Sequence, residues 1–416
     1  MKRVLLLVSI GLVLLVGGVY AWATVDASAP DDSSFLAPSR PSVRSEDNGY
    51  AVLEALGEEV GKLDLAERGR VKQSIPATYD ERTRAVADDI LHLELVQRLT
   101  ERVEQVLSAP AFQPTDPPFD DSRQRVARGS LDVVNLLRLR IQQALFSGAA
   151  SDAWRTAQSS LRLCQLFHRQ TDTFHELSVA QACQTVLFKA MLAGIDAGRW
   201  EPRQLRELAA LADAPSSSEP KRFIRALQTE YRLFVVGADQ QSADSSPFWR
   251  RVSYHRDRSK RAWLGAMALP FAAIHKADLP GAYQALRNAE VSTRQETTLV
   301  RNALGSQLLA VSVARLATPI ARAVDGLAEV RLVKLRAALA SYRAERGRWP
   351  ESLDLLVGPY ITALPNDPWS ARGFSYSASK RALYSVGEDR KDDGGKFAES
   401  LSRATDSTDY GVRLPD

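Results

Sequence analysis

The sequence predicts a mainly α protein: an irregular, hairpin-stacked helical ectodomain followed by a small α+β domain with a long helix on an antiparallel sheet. Three observations predict it. Between Ser45 and Thr318 apolar residues recur at helical spacing with almost no strand alternation. A last long helix ends at Gly347, with Pro350 barring its continuation. Short alternating runs then follow, at Phe374–Tyr376 and Leu383–Val386.

In chain order, Lys2 and Arg3 precede an apolar run from Val4 to Trp22. A secretory signal needs an apolar core of roughly 7–15 residues and a spanning helix about 20, so the run lies nearer the second. Tyr20 and Trp22 would sit at the outer interface, and the basic pair would stay in the cytoplasm. Ala21-Trp22-Ala23 also has the small-x-small form of a cleaved signal. Anchor and cleaved signal both stand, and both export the chain beyond residue 23. The expectation is a bacterial inner-membrane protein, single-pass through residues 4–22, with its body in the periplasm, or a cleaved periplasmic one. Residues 24–44, rich in Ser, Pro and Asp, read as a flexible tether.

Helices are expected at 47–66, 80–108, 123–147, 151–168, 173–197, 202–212, 219–238, 258–276, 280–291 and 294–316. Trp154, Ala157, Leu161, Cys164 and His168 form one stripe; Val134, Leu137, Ile141 and Ala144 form another, and Ala180, Cys183, Leu187 and Met191 a third. Three such helices with short turns must pack antiparallel to hide their stripes. No repeat near 34 residues is evident. The proline-rich loop 109–121 should part an N-terminal helical pair from the main bundle. Both cysteines lie on apolar stripes and read as buried hydrophobes. Export would permit a Cys164–Cys183 disulfide, yet in a hairpin turning near Thr171 the residue facing Cys164 is about 178.

Charge and motifs narrow the function. With 54 Lys+Arg against 50 Asp+Glu, the net charge of +4 speaks against a nucleic-acid partner. Two cysteines exclude a multi-cysteine zinc site. Arg250 to Trp263 holds six Lys/Arg against one Asp, which in an exported chain reads first as a solvated linker and second as a patch for anionic lipid or an acidic partner. There is no His-Glu-x-x-His, Gly-x-Ser-x-Gly, Walker loop or dinucleotide glycine fingerprint. His168 and His175-Glu176 fall at a helix junction and read as surface or capping residues.

The C-terminal quarter carries more. A helix from about Pro319 to Arg346 shows the seam Ala328, Leu332, Leu335, Leu339, Tyr342. A short helix at Glu351–Val357, a turn at Asn366-Asp367-Pro368 and a third strand at Tyr410–Leu414 complete the expected domain, 319–416. The ordered motifs YRAERGRWPESLDLL, LPNDPW and YSVGEDRKDDGG, with a late Asp409, resemble the globular domain of the type II secretion major pseudopilin. The resemblance covers about residues 320–416. It implies calcium in the loop after the YSVG strand, held by Asp389, Asp392, Asp393 and Asp409. Clustered carboxylates with backbone carbonyls are the oxygen donors calcium takes. Arg390 departs from the glycine usual in that family. The N-terminus departs further, with no prepilin cleavage site and no glutamate in its apolar helix.

These features lead to an expectation of a membrane-anchored, exported, non-enzymatic protein. It would be a helical scaffold with a pseudopilin-like end, meeting protein partners in a cell-envelope or secretion-related assembly. The alternatives are a diverged type II secretion pseudopilin-type component and an envelope hydrolase with an unrecognised site.

Overall fold

A computed structural model of the chain describes residues 2–36, 43–62, 81–114, 121–211, 219–243, 253–296, 302–370, 372–397, 400–401 and 408–415. The described part is mainly helical, with one three-stranded antiparallel sheet near its end. The chain forms two compact units, each discontinuous in sequence: residues 1–39 with 223–320, and residues 40–222 with 321–416. The expected boundary near 318 falls inside a single helix, Ala303–Arg346, which runs through Pro319.

The first unit begins with α1 (Lys2–Thr24). Its described apolar side chains from Leu12 to Val19 are 57–70% exposed, so nothing among the described residues buries them. Beyond α1 the expected tether is, over residues 25–36, a strap fixed to the unit's helices. The reason is chemical complementarity with the basic segment, which from residue 256 onward is helical rather than a solvated linker. Asp26 accepts the backbone N–H groups of Asp257 at 2.9 Å and Arg258 at 3.0 Å, capping that helix from outside its own sequence. A ring nitrogen of His255 lies 2.8 Å from the carbonyl of Ala23, in the last turn of α1. Further along, Arg261 donates to Ser28, while Lys260 and Tyr231 converge on Asp32 at 3.0 and 2.5 Å. Phe35, 5% exposed, ends the strap among Tyr231, Trp263 and Phe271, with ring centroids 4.5–5.8 Å away. Residues 250–252 and 37–42 of these two segments lie outside the described residues.

The second unit is built from α2 (Gly49–Gly61), α3 (Arg84–Leu91), α4 (Glu94–Gln97), α5 (Leu99–Ser108), α6 (Asp121–Phe146), α7 (Ala150–Arg169), α8 (Phe174–Asp196) and α9 (Pro202–Leu211). The single helix expected at 80–108 is thus three. The first unit adds α10 (Glu219–Ala243), which begins just before the boundary, α11 (Arg256–His275) and α12 (Leu279–Glu296). The long helix is α13 (Ala303–Arg346). The stripes read from sequence are buried: Ile141, Leu161, Cys164, Cys183, Leu187 and Met191 share one core. Both cysteines are free thiols. At the α7–α8 junction Thr173 and Glu176 form a reciprocal capping box, which is the capping role expected there.

The sheet runs β1 (Ser375–Ser377), β2 (Ala382–Ser385), β3 (Tyr410–Arg413), all antiparallel, with Leu383 opposite Tyr376 and Val412. The helix expected at 351–357 is a short 3₁₀ turn, Leu353–Leu356. Leu383 and Val412 belong to the same core as Leu332, Leu335 and Leu339 of α13 and Leu187 and Met191 of α8. One face of the sheet therefore packs into the helical core, while Ala382 and Tyr384 on the other face form a small separate cluster with Phe397.

Two described helices are long and apolar enough to cross a membrane: α8, whose apolar window is 61% buried in the protein, and α13, 33% buried. For α8 the burial comes from packing against α6 and α7.

Candidate functional site

The motifs singled out at the C-terminus converge in space. Asp367, from LPNDPW, is 2% exposed and clasps the end of β2. Its Oδ1 accepts from the Ser385 hydroxyl at 2.7 Å and the Trp369 N–H at 3.0 Å, and its Oδ2 from the Val386 N–H at 3.3 Å. Burial raises its pKa, with these donors pulling the other way. Trp369 in turn donates its indole N–H to Asp325 on α13.

Of the four aspartates expected to hold calcium, Asp389, Asp392 and Asp393 lie on the next loop and Asp409 just before β3. The carboxylates of Asp389, Asp392 and Asp409 accept from nearby donors. Asp409 is fully buried, and its Oδ2 accepts the N–H groups of Gly395 at 2.8 Å and Lys396 at 3.2 Å. Burial again raises its pKa. Asp392 accepts from the Tyr384 hydroxyl and the Gly394 N–H, at 2.9 and 2.8 Å. Asp389 accepts from Thr408 and from the Lys391 N–H, at 2.5 and 3.0 Å. Asp393 is exposed, and its backbone N–H bonds to Asp409. Among the described residues no three His, Cys, Asp or Glu side chains come together as a metal-holding group. Asp389 and Asp392 each accept through Oδ1, and a carboxylate has acceptor sites on both oxygens, so these bonds leave calcium at this loop as a proposal for titration. The loop's backbone follows the same economy. Gly387 has φ +71°, and a Cβ there would stand 1.9 Å from the Thr408 carbonyl oxygen. Arg390, at the position where the resemblance expects glycine, has φ +59°.

One site escaped the sequence reading. Glu329 of α13, 4% exposed, lies beneath this region. It accepts from Gln181 Nε2 at 2.9 Å, from Thr185 Oγ1 at 2.8 and 2.9 Å, and from the Tyr410 hydroxyl. Burial is the largest influence and pushes its carboxyl up to about 7. The available signal was a glutamate beside Ala328 on an otherwise apolar seam. A second buried ion, Arg336, donates to Asp196 at 2.6 Å and stacks on Trp349 at 5.2 Å.

Compared with known proteins, the chain matches no family model, no curated protein and no solved structure. The pseudopilin resemblance therefore rests on the quoted motifs alone.

Proposed function

We propose that this protein is a membrane-anchored, exported, non-enzymatic scaffold. Its helical body and pseudopilin-like end serve an envelope or secretion-related assembly. One observation carries the reading: α1 has 23 residues and so is about 35 Å long, enough for the roughly 30 Å of a bilayer core, and its described apolar side chains are uncovered. Lys2 and Arg3 at its start put that end in the cytoplasm and the body outside.

The strap adds a mechanical consequence. Hydrogen bonds at Ala23 and Asp26 join the outer end of α1 to the start of α11, so the anchor continues into a folded unit with no free linker over residues 25–36. A scaffold fixed in this way presents its first unit at the bilayer surface. The C-terminal clasp at Asp367 and Asp409 gives the far end of the chain a rigid loop of the kind a protein partner can read.

Alkaline phosphatase fused after residue 45 should be active, and the full chain should stay with membranes through an alkaline wash. An inactive fusion together with wash release contradicts the reading.

A further inference from the structure

We propose that Glu329 is a proton-operated latch: neutral, it ties β3 and α8 to α13, and ionised, it loosens that three-way joint. The inference does not depend on the membrane reading.

Burial carries the proposal: Glu329 is 4% exposed and its hydrogen-bond partners Gln181, Thr185 and Tyr410 are all neutral groups. The Thr185 hydroxyl has one hydrogen but three acceptors in reach: both oxygens of Glu329, and the Gln181 carbonyl at 3.0 Å. When Glu329 is neutral its own O–H donates to Thr185, and the Thr185 hydrogen goes to the Gln181 carbonyl. Gln181 Nε2 and the Tyr410 hydroxyl still donate to the carboxyl. No charge is then buried, whereas the ionised form takes all three donors, so the two forms differ chiefly in the buried charge. When Glu329 ionises, the same donors must hold a full negative charge in a site closed to water.

The surrounding charges do not offset it. Lys189 on α8 favours the ionised form, but its side chain is exposed. Asp325, about one turn earlier on α13, is a like charge that opposes it. The Tyr410 hydroxyl on β3 and the Thr185 hydroxyl on α8 are neutral donors that favour the ionised form more than Lys189 does. Desolvation outweighs these influences and places the carboxyl near 7, where modest pH changes alter its charge.

Local sequence is built for the joint. Gly326 stands one turn before Glu329, and a Cβ there would lie 1.9 Å from Gln181 Oε1. Glycine lets the Gln181 amide pass α13 and reach the carboxyl. The joint spans residues 144 to 148 positions apart on α8 and α13, and 81 apart on α13 and β3, so it ties the end of the chain to its middle.

The pH dependence has a definite sign. The folded carboxyl titrates above its ordinary value of 4.5, so between about 4.5 and 7 the folded joint keeps a proton that the opened one has lost. Attachment is strongest below 4.5, weakens as pH rises, and levels off above 7. Hydrogen–deuterium exchange of the full chain in detergent micelles, corrected for intrinsic rates, reads this at the amides of Tyr410–Arg413. Their protection should fall roughly tenfold from pH 6 to pH 8 in the wild type. Glu329→Gln mimics the neutral state and should hold the pH 6 protection at both values. Parallel falls in the two proteins, or a variant less protected at pH 6 than the wild type at pH 8, would overturn the latch. Should that variant not fold, Tyr410→Phe decides. It removes a donor to the carboxylate, so the fall must move to higher pH, and an unmoved fall overturns the proposal.

Discussion

The strap at residues 25–36 and the loop at 387–397 are both short, acidic and rich in turn residues, yet they settle their charges differently. In the strap, Asp26 caps a helix and Asp32 meets a lysine ammonium and a tyrosine hydroxyl. In the loop, Asp389, Asp392 and the late Asp409 meet backbone N–H groups and hydroxyls of the same neighbourhood. The strap therefore reports a partner distant in sequence, while the loop organises itself. Acidic composition alone does not tell a tether, an ion site and a clasp apart; the position of the donors does.

The largest expected effect lies in the strap. Phe35→Ala empties an aromatic pocket and should cost about 3–5 kcal/mol, as for other buried phenylalanines. Limited proteolysis should then cut within residues 25–36, while exchange in β2 stays unchanged. A tether would show no difference between wild type and variant.

The two regions should also answer acid with opposite signs. Hydrogen bonding from Tyr231 is the largest cause lowering the pKa of Asp32, so its contribution is present above the ordinary value of 3.8 and is lost as pH falls through the lower, folded value. Burial raises Asp409, so its ionisation opposes folding, and stability there falls as pH rises from 3.8 through the folded value. Exchange measured from pH 6 down to about 3 should loosen the strap while the loop holds. Loosening of both together would break the contrast.

A smaller effect tests the loop's backbone. Arg390 occupies the left-handed region, so Arg390→Gly should raise unfolding stability by about 1 kcal/mol. Smallest of all is the response to calcium. Because Asp389, Asp392 and Asp409 already accept from protein donors, calcium must compete with these, and the full chain should melt at most slightly higher in millimolar calcium than in chelator. A large rise in calcium that Asp392→Ala abolishes would establish the ion site that the resemblance implies.

Much of this architecture was legible in the sequence. The stripes through Leu161, Leu187 and Leu335 mark helices because period and burial coincide there, and the strands emerge from short alternation between turn residues. The strap was not legible. Asp26 and Asp257 are 231 residues apart, and no local pattern announces such a pairing. Nor was the continuity of α13 through Pro319, because local proline chemistry argues for a break there. At the candidate site the aspartates were visible as a cluster, but their hydrogen-bond donors are mostly backbone groups, which sequence does not display. Glu329 was hidden for a related reason: three partners on two other elements decide its chemistry.

The central claim is that the first unit is fixed to the C-terminal end of α1 rather than tethered to it. Spin labels on cysteines placed at the exposed Ala29 and Ala268, in full-length protein in lipid nanodiscs, test it most directly by pulsed electron resonance. The buried Cys164 and Cys183 thiols, raised by desolvation, stay unlabelled. A single narrow distance distribution is expected, broadening in Phe35→Ala. A broad distribution in the wild type, unchanged by that substitution, would contradict the claim.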